Sequence, residues 1–162
     1  VDVTATLAAD VPVDALFDVV EDLGTYPEWL DIVSRAEPVE VVPGDEGGGG
    51  EAGAAAWSVD LRGQVGPFRR SKRLRMVRTR CERPDVVRFE RREHDGKRHS
   101  EWVLSAELVH PGATGSAAVP ELRMRLHYGG NLWVPMLDRL LSDEIERSRP
   151  RLISFVNGRS AG

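Results

Sequence analysis

The side chains able to do chemistry are few, and their spacing sorts them. His94, His99, His110 and His127 are scattered without the spacing of a metal-ligand set. Cys81 is the single cysteine and has no partner motif; it reads as a small buried apolar residue, not a nucleophile. No Gly-x-Ser-x-Gly occurs. The Gly-rich run GDEGGGGEAGAAA, residues 44–56, lacks the Lys-Ser/Thr ending of a phosphate-binding loop and does not lead into a helix. The residues therefore call for no metal and no cofactor. What remains is a small set of hydrogen-bonding side chains among apolar ones: Tyr26, Thr79, Arg91, Tyr128 and the tryptophans. A phenol or an indole N–H fixes the orientation of a ligand held by apolar walls.

Tyr26 and Trp29 lie in LGTYPEWLDIV, residues 23–33. Thr25 and Glu28 fit a capping box, and Pro27 falls in the first turn, where a missing N–H costs little. A helix of barely two turns is not stable alone, so both rings must pack on something larger. The elements around them follow from periodicity. Residues 1–7 alternate apolar and polar, as a half-buried strand does. A helix starts at Asp10-Val11-Pro12, buries Leu16, Phe17, Val19, Val20 and Leu23, and ends at Gly24. From Ala36 onward the period turns to strands. Turn-like segments ERPD, EHDGK and HPGATG separate them, and the 44–56 run is a flexible loop of low complexity. A long helix spans about Leu132 to Val156, with a kink expected at Pro150.

The order is strand, two short helices, six strands, long helix. Short connections make the sheet antiparallel, and one apolar face per strand leaves the other face in solvent. Only the last helix is long enough to cover the apolar face. The alternation puts Trp57, Val59, Leu61, Leu74, Met76, Val77, Val87, Phe89, Trp102, Leu104, Leu122, Met124, Leu126 and Tyr128 inward. A change of parity predicts a β-bulge near Met76-Val77, after which Thr79 and Cys81 point inward. Arg73, Arg75, Arg78 and Arg80, joined by Arg62, Arg88, Arg123 and Arg125, form an outer basic stripe. Asp60, Glu90, Glu101 and Glu107 share that face. Cross-strand pairing absorbs much of this charge, and no aromatic residue stands there to stack on bases. Nucleic-acid binding, or an adaptor role for the arginine-rich strand 69–80, is therefore the weaker alternative.

Composition agrees with one globular domain over residues 1–162: 41% hydrophobic, 30% charged, net charge −4. The charge is uneven. Residues 1–60 carry fourteen acids and one base, residues 61–98 fourteen bases and five acids. No apolar run is long enough for a transmembrane span, and no signal peptide is evident. With a single cysteine, the expectation is a cytoplasmic protein. Oligomeric state is not readable.

The opening VTATLAADVPVDALFDVVEDLGTYPEWLDIV, with Tyr26-Pro27-Glu28-Trp29 at an aromatic-Pro-x-aromatic position, resembles the polyketide cyclase/dehydrase branch of the START-like helix-grip (SRPBCC) superfamily. The long C-terminal helix agrees. The resemblance implies an α+β helix-grip fold: a curved seven-stranded antiparallel sheet wrapped around that helix, with two short helices after the first strand. It also implies a deep cavity for a hydrophobic small molecule, lipid or polyketide. Some relatives are aromatases or cyclases and many only bind or carry, so the family alone does not make this chain an enzyme. Candidate ligand-binding residues are Tyr26, Trp29, Trp57, Leu61, Met76, Phe89, Trp102, Leu104, Met124, Tyr128, Trp133, Met136, Leu137 and Leu140. No catalytic residue is assigned. In a cyclase, Tyr26 would be the hydrogen-bond donor to the substrate.

Overall fold

The computed structural model describes residues 2–45, 54–65, 68–109, 119–130 and 134–160. Side chains 64, 65, 68, 70, 134–141 and 160 lie outside the description. Strand β1 (Asp2–Ala8) alternates exposed and buried residues, with Val3, Ala5 and Leu7 inward. Helix α1 (Val13–Val20) has Asp14 in its first turn, where a carboxylate complements the helix dipole. Leu16, Phe17, Val19 and Val20 form its buried face.

The turn into helix α2 (Tyr26–Trp29) corrects the expected capping. Helix α1 stops at Val20, before Gly24, and a 3₁₀ turn (Leu23–Thr25) intervenes. Asp22 starts it by accepting the Gly24 N–H at 2.8 Å. Thr25 makes no capping bond to α2. Its hydroxyl donates backward, to the Val19 carbonyl at 2.7 Å and the Asp22 carbonyl at 2.9 Å. The reason is local: Thr25 has helical dihedrals, because α2 continues the 3₁₀ turn without an extended residue between them.

Six strands follow: β2 (Val33–Val39), β3 (Ala56–Val65), β4 (Phe68–Glu82), β5 (Val86–Arg91), β6 (Trp102–Val109) and β7 (Glu121–Tyr128). All pair antiparallel, in the order β1-β7-β6-β5-β4-β3-β2. Consecutive strands β1 and β2 are thus the two edges. The chain between them must cross the sheet's width, and α1 and α2 make that crossing. Pro38 is tolerated because β2 is an edge strand. Helix α3 (Val134–Ser160) runs continuously through Pro150 and packs on β1, α1, α2 and β3. Ile145, Ser148, Leu152 and Val156 form its buried stripe at helical spacing. This is the curved seven-stranded sheet and gripped helix that the sequence implied.

The parity change in β4 falls later than expected. Trp57 is opposite Met76, Val59 opposite Leu74 and Leu61 opposite Lys72, so even-numbered residues from 72 point to the concave side. Arg78 is opposite Phe89 and keeps that phase. The register shifts only between Arg78 and Arg80, after which Cys81 meets Val87. Two expected orientations are therefore corrected. Val77 shares the convex side with Ala56 and Glu90, although it is fully buried, and Arg78 is concave.

The connection after β2 also departs from expectation at its start. Residues 46–53 of the Gly-rich run lie outside the described residues. Asp45, by contrast, is completely buried. Arg75 grips its carboxylate through both terminal nitrogens, at 2.9 and 2.7 Å, and also donates to the Glu40 carbonyl at 2.9 Å. His94 Nε2 lies 3.0 Å from Asp45 Oδ1, and the Val42 N–H donates to Oδ2 at 2.8 Å. Segment 40–45 is pinned on the outer side of the sheet. Gly44 supplies the positive φ of 100° that this path needs.

Candidate functional site: the concave face

The concave face is assembled by register. Leu104 lies between Phe89 and Leu126, and Ala106 between Val87 and Met124. Trp102 is opposite Tyr128, their ring centroids 4.6 Å apart. A chain of ring contacts links this face to α2. Trp57 meets Phe89 edge-on at 5.6 Å, Phe89 meets Tyr26 edge-on at 6.2 Å, and Tyr26 tilts against Trp29 at 4.7 Å. Offset and edge-on pairs suit the ring quadrupoles and add about 0.5–1.5 kcal/mol each beyond area burial. This is what the two rings of the short helix pack on.

Tyr26 and Trp29 are both 0% exposed. The Tyr26 hydroxyl donates to the Val20 carbonyl at 2.8 Å, and burial pushes its pKa far above the usual phenol range. Trp29 Nε1 donates to Thr25 Oγ1 at 3.4 Å. Tyr26 therefore caps the end of α1 directly, and Trp29 reaches it through the Thr25 hydroxyl, which donates to the Val19 carbonyl. Trp57, Met76, Phe89, Trp102, Met124 and Tyr128 are on the concave side and buried. Leu61 and Leu104 share that side but keep partial exposure, which sets them apart from their buried neighbours. Trp133 lies outside the described residues, as do the side chains of Met136, Leu137 and Leu140 on the first turns of α3.

Three cations on the concave side escaped alternation or were left open by it. Arg78 stands 5.9 Å from the Trp57 ring centre and donates to the Glu21 carbonyl at 3.2 Å. Lys72 lies beside Leu61, and Arg91 keeps the phase of Val87 and Phe89, opposite Met76. The signal for Arg78 was hidden because its neighbours are alternately apolar on both sides of the sheet. An open groove of about 660 Å³ lies between Trp57, Arg78, the α1–α2 turn and the end of α3, where Phe155 and Arg159 face it.

Trp102 Nε1 and Thr79 Oγ1 are among the buried side-chain donors with no acceptor among the described residues. An unsatisfied buried donor costs about 1–3 kcal/mol, so each is a position where an acceptor is worth having. Cys81 is buried, its Sγ 3.4 Å from Glu21 Oε2, and burial first and this carboxylate second push its pKa up to about 11. It is a thiol at neutral pH. Among the described residues, no group of three or more His, Cys, Asp or Glu is placed to hold a metal ion. Among the described residues, no helix is long and apolar enough to cross a membrane.

The outer arginines are largely paired. Arg73 binds Asp60 through two nitrogens, at 2.7 and 3.1 Å, and Arg80 binds Glu82 at 2.6 Å. Arg62 and Arg125 approach Asp31 and Asp2 at 3.8 and 3.9 Å, and Arg123 approaches Glu121 at 3.7 Å. The basic stripe is thus laced with carboxylates.

A sheet gripping one long helix, with two short helices closing one end, defines the helix-grip class. A family model described as polyketide cyclase / dehydrase and lipid transport matches residues 9–147, and the chain belongs to that family. Solved structures share the fold. The protein TTHA0849 from Thermus thermophilus superposes with a TM-score of 0.67 at 15% identity, covering 99% of both chains. A START superfamily protein from Mycobacterium smegmatis gives 0.66 at 15% identity, covering 97% of both. The di-domain aromatase/cyclase StfQ of steffimycin biosynthesis gives 0.63 at 16% identity, over all of this chain and 52% of that one. A search of curated proteins finds no match.

Proposed function

We propose that the protein binds a hydrophobic small molecule, a lipid or a polyketide, between the concave face of the sheet and α3. The observation that carries this reading is the partial exposure of Leu61 and Leu104. Leu104 lies on the buried apolar face between Phe89 and Leu126, and Leu61 lies at its margin beside Lys72. Leucines so placed retain exposure where the face borders unfilled space, and such space with apolar walls takes an apolar ligand. Family membership supports the same class of ligand. Polyketide cyclisation is the second reading, favoured by the likeness to StfQ. In that case Tyr26 is a wall and not the donor, because its hydroxyl is bonded to Val20.

The test is titration with Nile red, a neutral dye that brightens in apolar surroundings. The wild-type protein binds it at one site. Leu104→Trp fills the space beside Phe89 and Leu126 and weakens binding at least about tenfold, with the melting temperature little changed. Equal binding by wild type and Leu104→Trp, or no binding by either, contradicts the reading. Native mass spectrometry of the purified protein, with solvent extraction, would identify a co-purified ligand.

A further inference from the structure

At the end of β4 away from α1, the concave face changes character. Lys72 projects there beside Leu61, two residues along the strand from buried Leu74. Its ammonium has no hydrogen-bond or ion-pair partner among the described residues. Arg91 follows Phe89 on the same side, with its side chain only 7% exposed. Its Nε donates to Glu93 Oε2 at 3.1 Å, Nη1 to the Ser100 carbonyl at 3.3 Å, and Nη2 lies 3.1 Å from His99 Nδ1. Three of its five N–H groups are engaged and the planar head is held in place.

The charges here do not balance. Glu93 is the carboxylate that faces both cations, and its oxygens are already engaged by Arg91 and by the Arg75 N–H at 3.2 Å. Burial first, and Arg91 second, hold the Lys72 pKa below its usual value. One step beyond the pair Glu90–Val103, the next residue on β6 is Trp102, whose buried N–H has no acceptor among the described residues. An ammonium, a fixed guanidinium and an indole N–H are all donors. Partly exposed Leu61 and Leu104 are the apolar surface next to them.

Building on the ligand-binding reading above, we infer that the ligand is an acid: an apolar body with a carboxylate head, the head seated on Lys72 and Arg91. The Coulombic gain is larger here than on the surface, because both cations are partly withdrawn from water. A carboxylate also matches the geometry of a guanidinium with free N–H groups.

Displacement of Nile red tests this with two acid–ester pairs: palmitic acid and its methyl ester, and 9-anthracenecarboxylic acid and its methyl ester. For at least one pair the acid displaces the dye at a concentration at least about tenfold below its ester. Lys72→Met, which keeps the stem and removes the charge, brings that acid to within about twofold of its ester. Lys72→Arg keeps most of the preference. Lys72 has no protein partner to lose among the described residues, so both variants are expected to fold, which their melting curves check. Nile red binding with no acid preferred over its ester overturns the acid inference and leaves hydrophobic binding standing. A preference unchanged in Lys72→Met overturns it as well. Failure of Nile red itself to bind overturns the ligand-binding reading and this inference together.

Discussion

Tyr26 illustrates how little a residue's type says about its role until its hydroxyl is followed to a partner. As a tyrosine in an aromatic-Pro-x-aromatic motif it reads as a pocket donor. In the structure its hydroxyl closes the end of α1 through Val20, and its ring packs tilted against Trp29 and edge-on to Phe89. Tyr26→Phe therefore loses a buried hydrogen bond but keeps the ring contacts. The expected cost is about 1–1.5 kcal/mol in urea unfolding, with Nile red affinity unchanged within twofold. A large loss of affinity with unchanged stability would return Tyr26 to the ligand site. Strand alternation correctly read Trp57, Phe89, Trp102, Met124 and Tyr128 as one face. It misplaced Arg78 and Val77, because β4 has apolar or half-apolar residues on both sides near the bulge. A two-residue period cannot say on which side of such a bulge the phase changes.

At the scale of elements, the order of strands and helices was legible, because apolar periodicity and turn residues mark each one. The short helix was legible as an element but not in its capping. Thr25 satisfies the capping-box pattern, yet the preceding 3₁₀ turn takes its hydroxyl. The least legible piece was the connection between β2 and β3. Composition marks residues 44–56 as a loop, and nothing local shows that Asp45 is gripped by Arg75, thirty residues later. The hydrogen bond from Arg75 is the main cause of a depressed Asp45 pKa. The sign follows from proton linkage. The unfolded chain binds more protons at acid pH than the native one does. The pair's contribution is therefore complete above the ordinary carboxylate value of 3.8 and is lost as pH falls through the lower native value. Asp45→Asn should destabilise by about 3–5 kcal/mol at neutral pH, because it leaves Arg75 without its counter-ion in a largely buried place. The difference from wild type should shrink on acidification below about pH 4. Urea titrations at several pH values check both parts. A difference that does not narrow would show that the variant acts through packing and not charge.

At the scale of the molecule, the interior of the grip is packed with rings near α1 and α2 and carries cations further along the sheet. Beneath α1 and α2 the interior is packed by Phe17, Tyr26, Trp29 and Phe89, all fully buried, and the groove beside Trp57 and Arg78 lies outside these rings. Further along stand Lys72, Arg91 and Trp102 around partly exposed leucines. An apolar ligand with an acidic head would lie along this axis, its body against Leu61 and Leu104. The most direct measurement is a methyl NMR spectrum of the leucine-labelled protein, recorded as Nile red is added. The account predicts that the methyl signals of Leu61 and Leu104 shift most, while those of the fully buried Leu16 and Leu152 stay in place. Shifts confined to Leu16 and Leu152, or none at Leu61 and Leu104 when the dye is bound, would contradict a ligand site on the concave face.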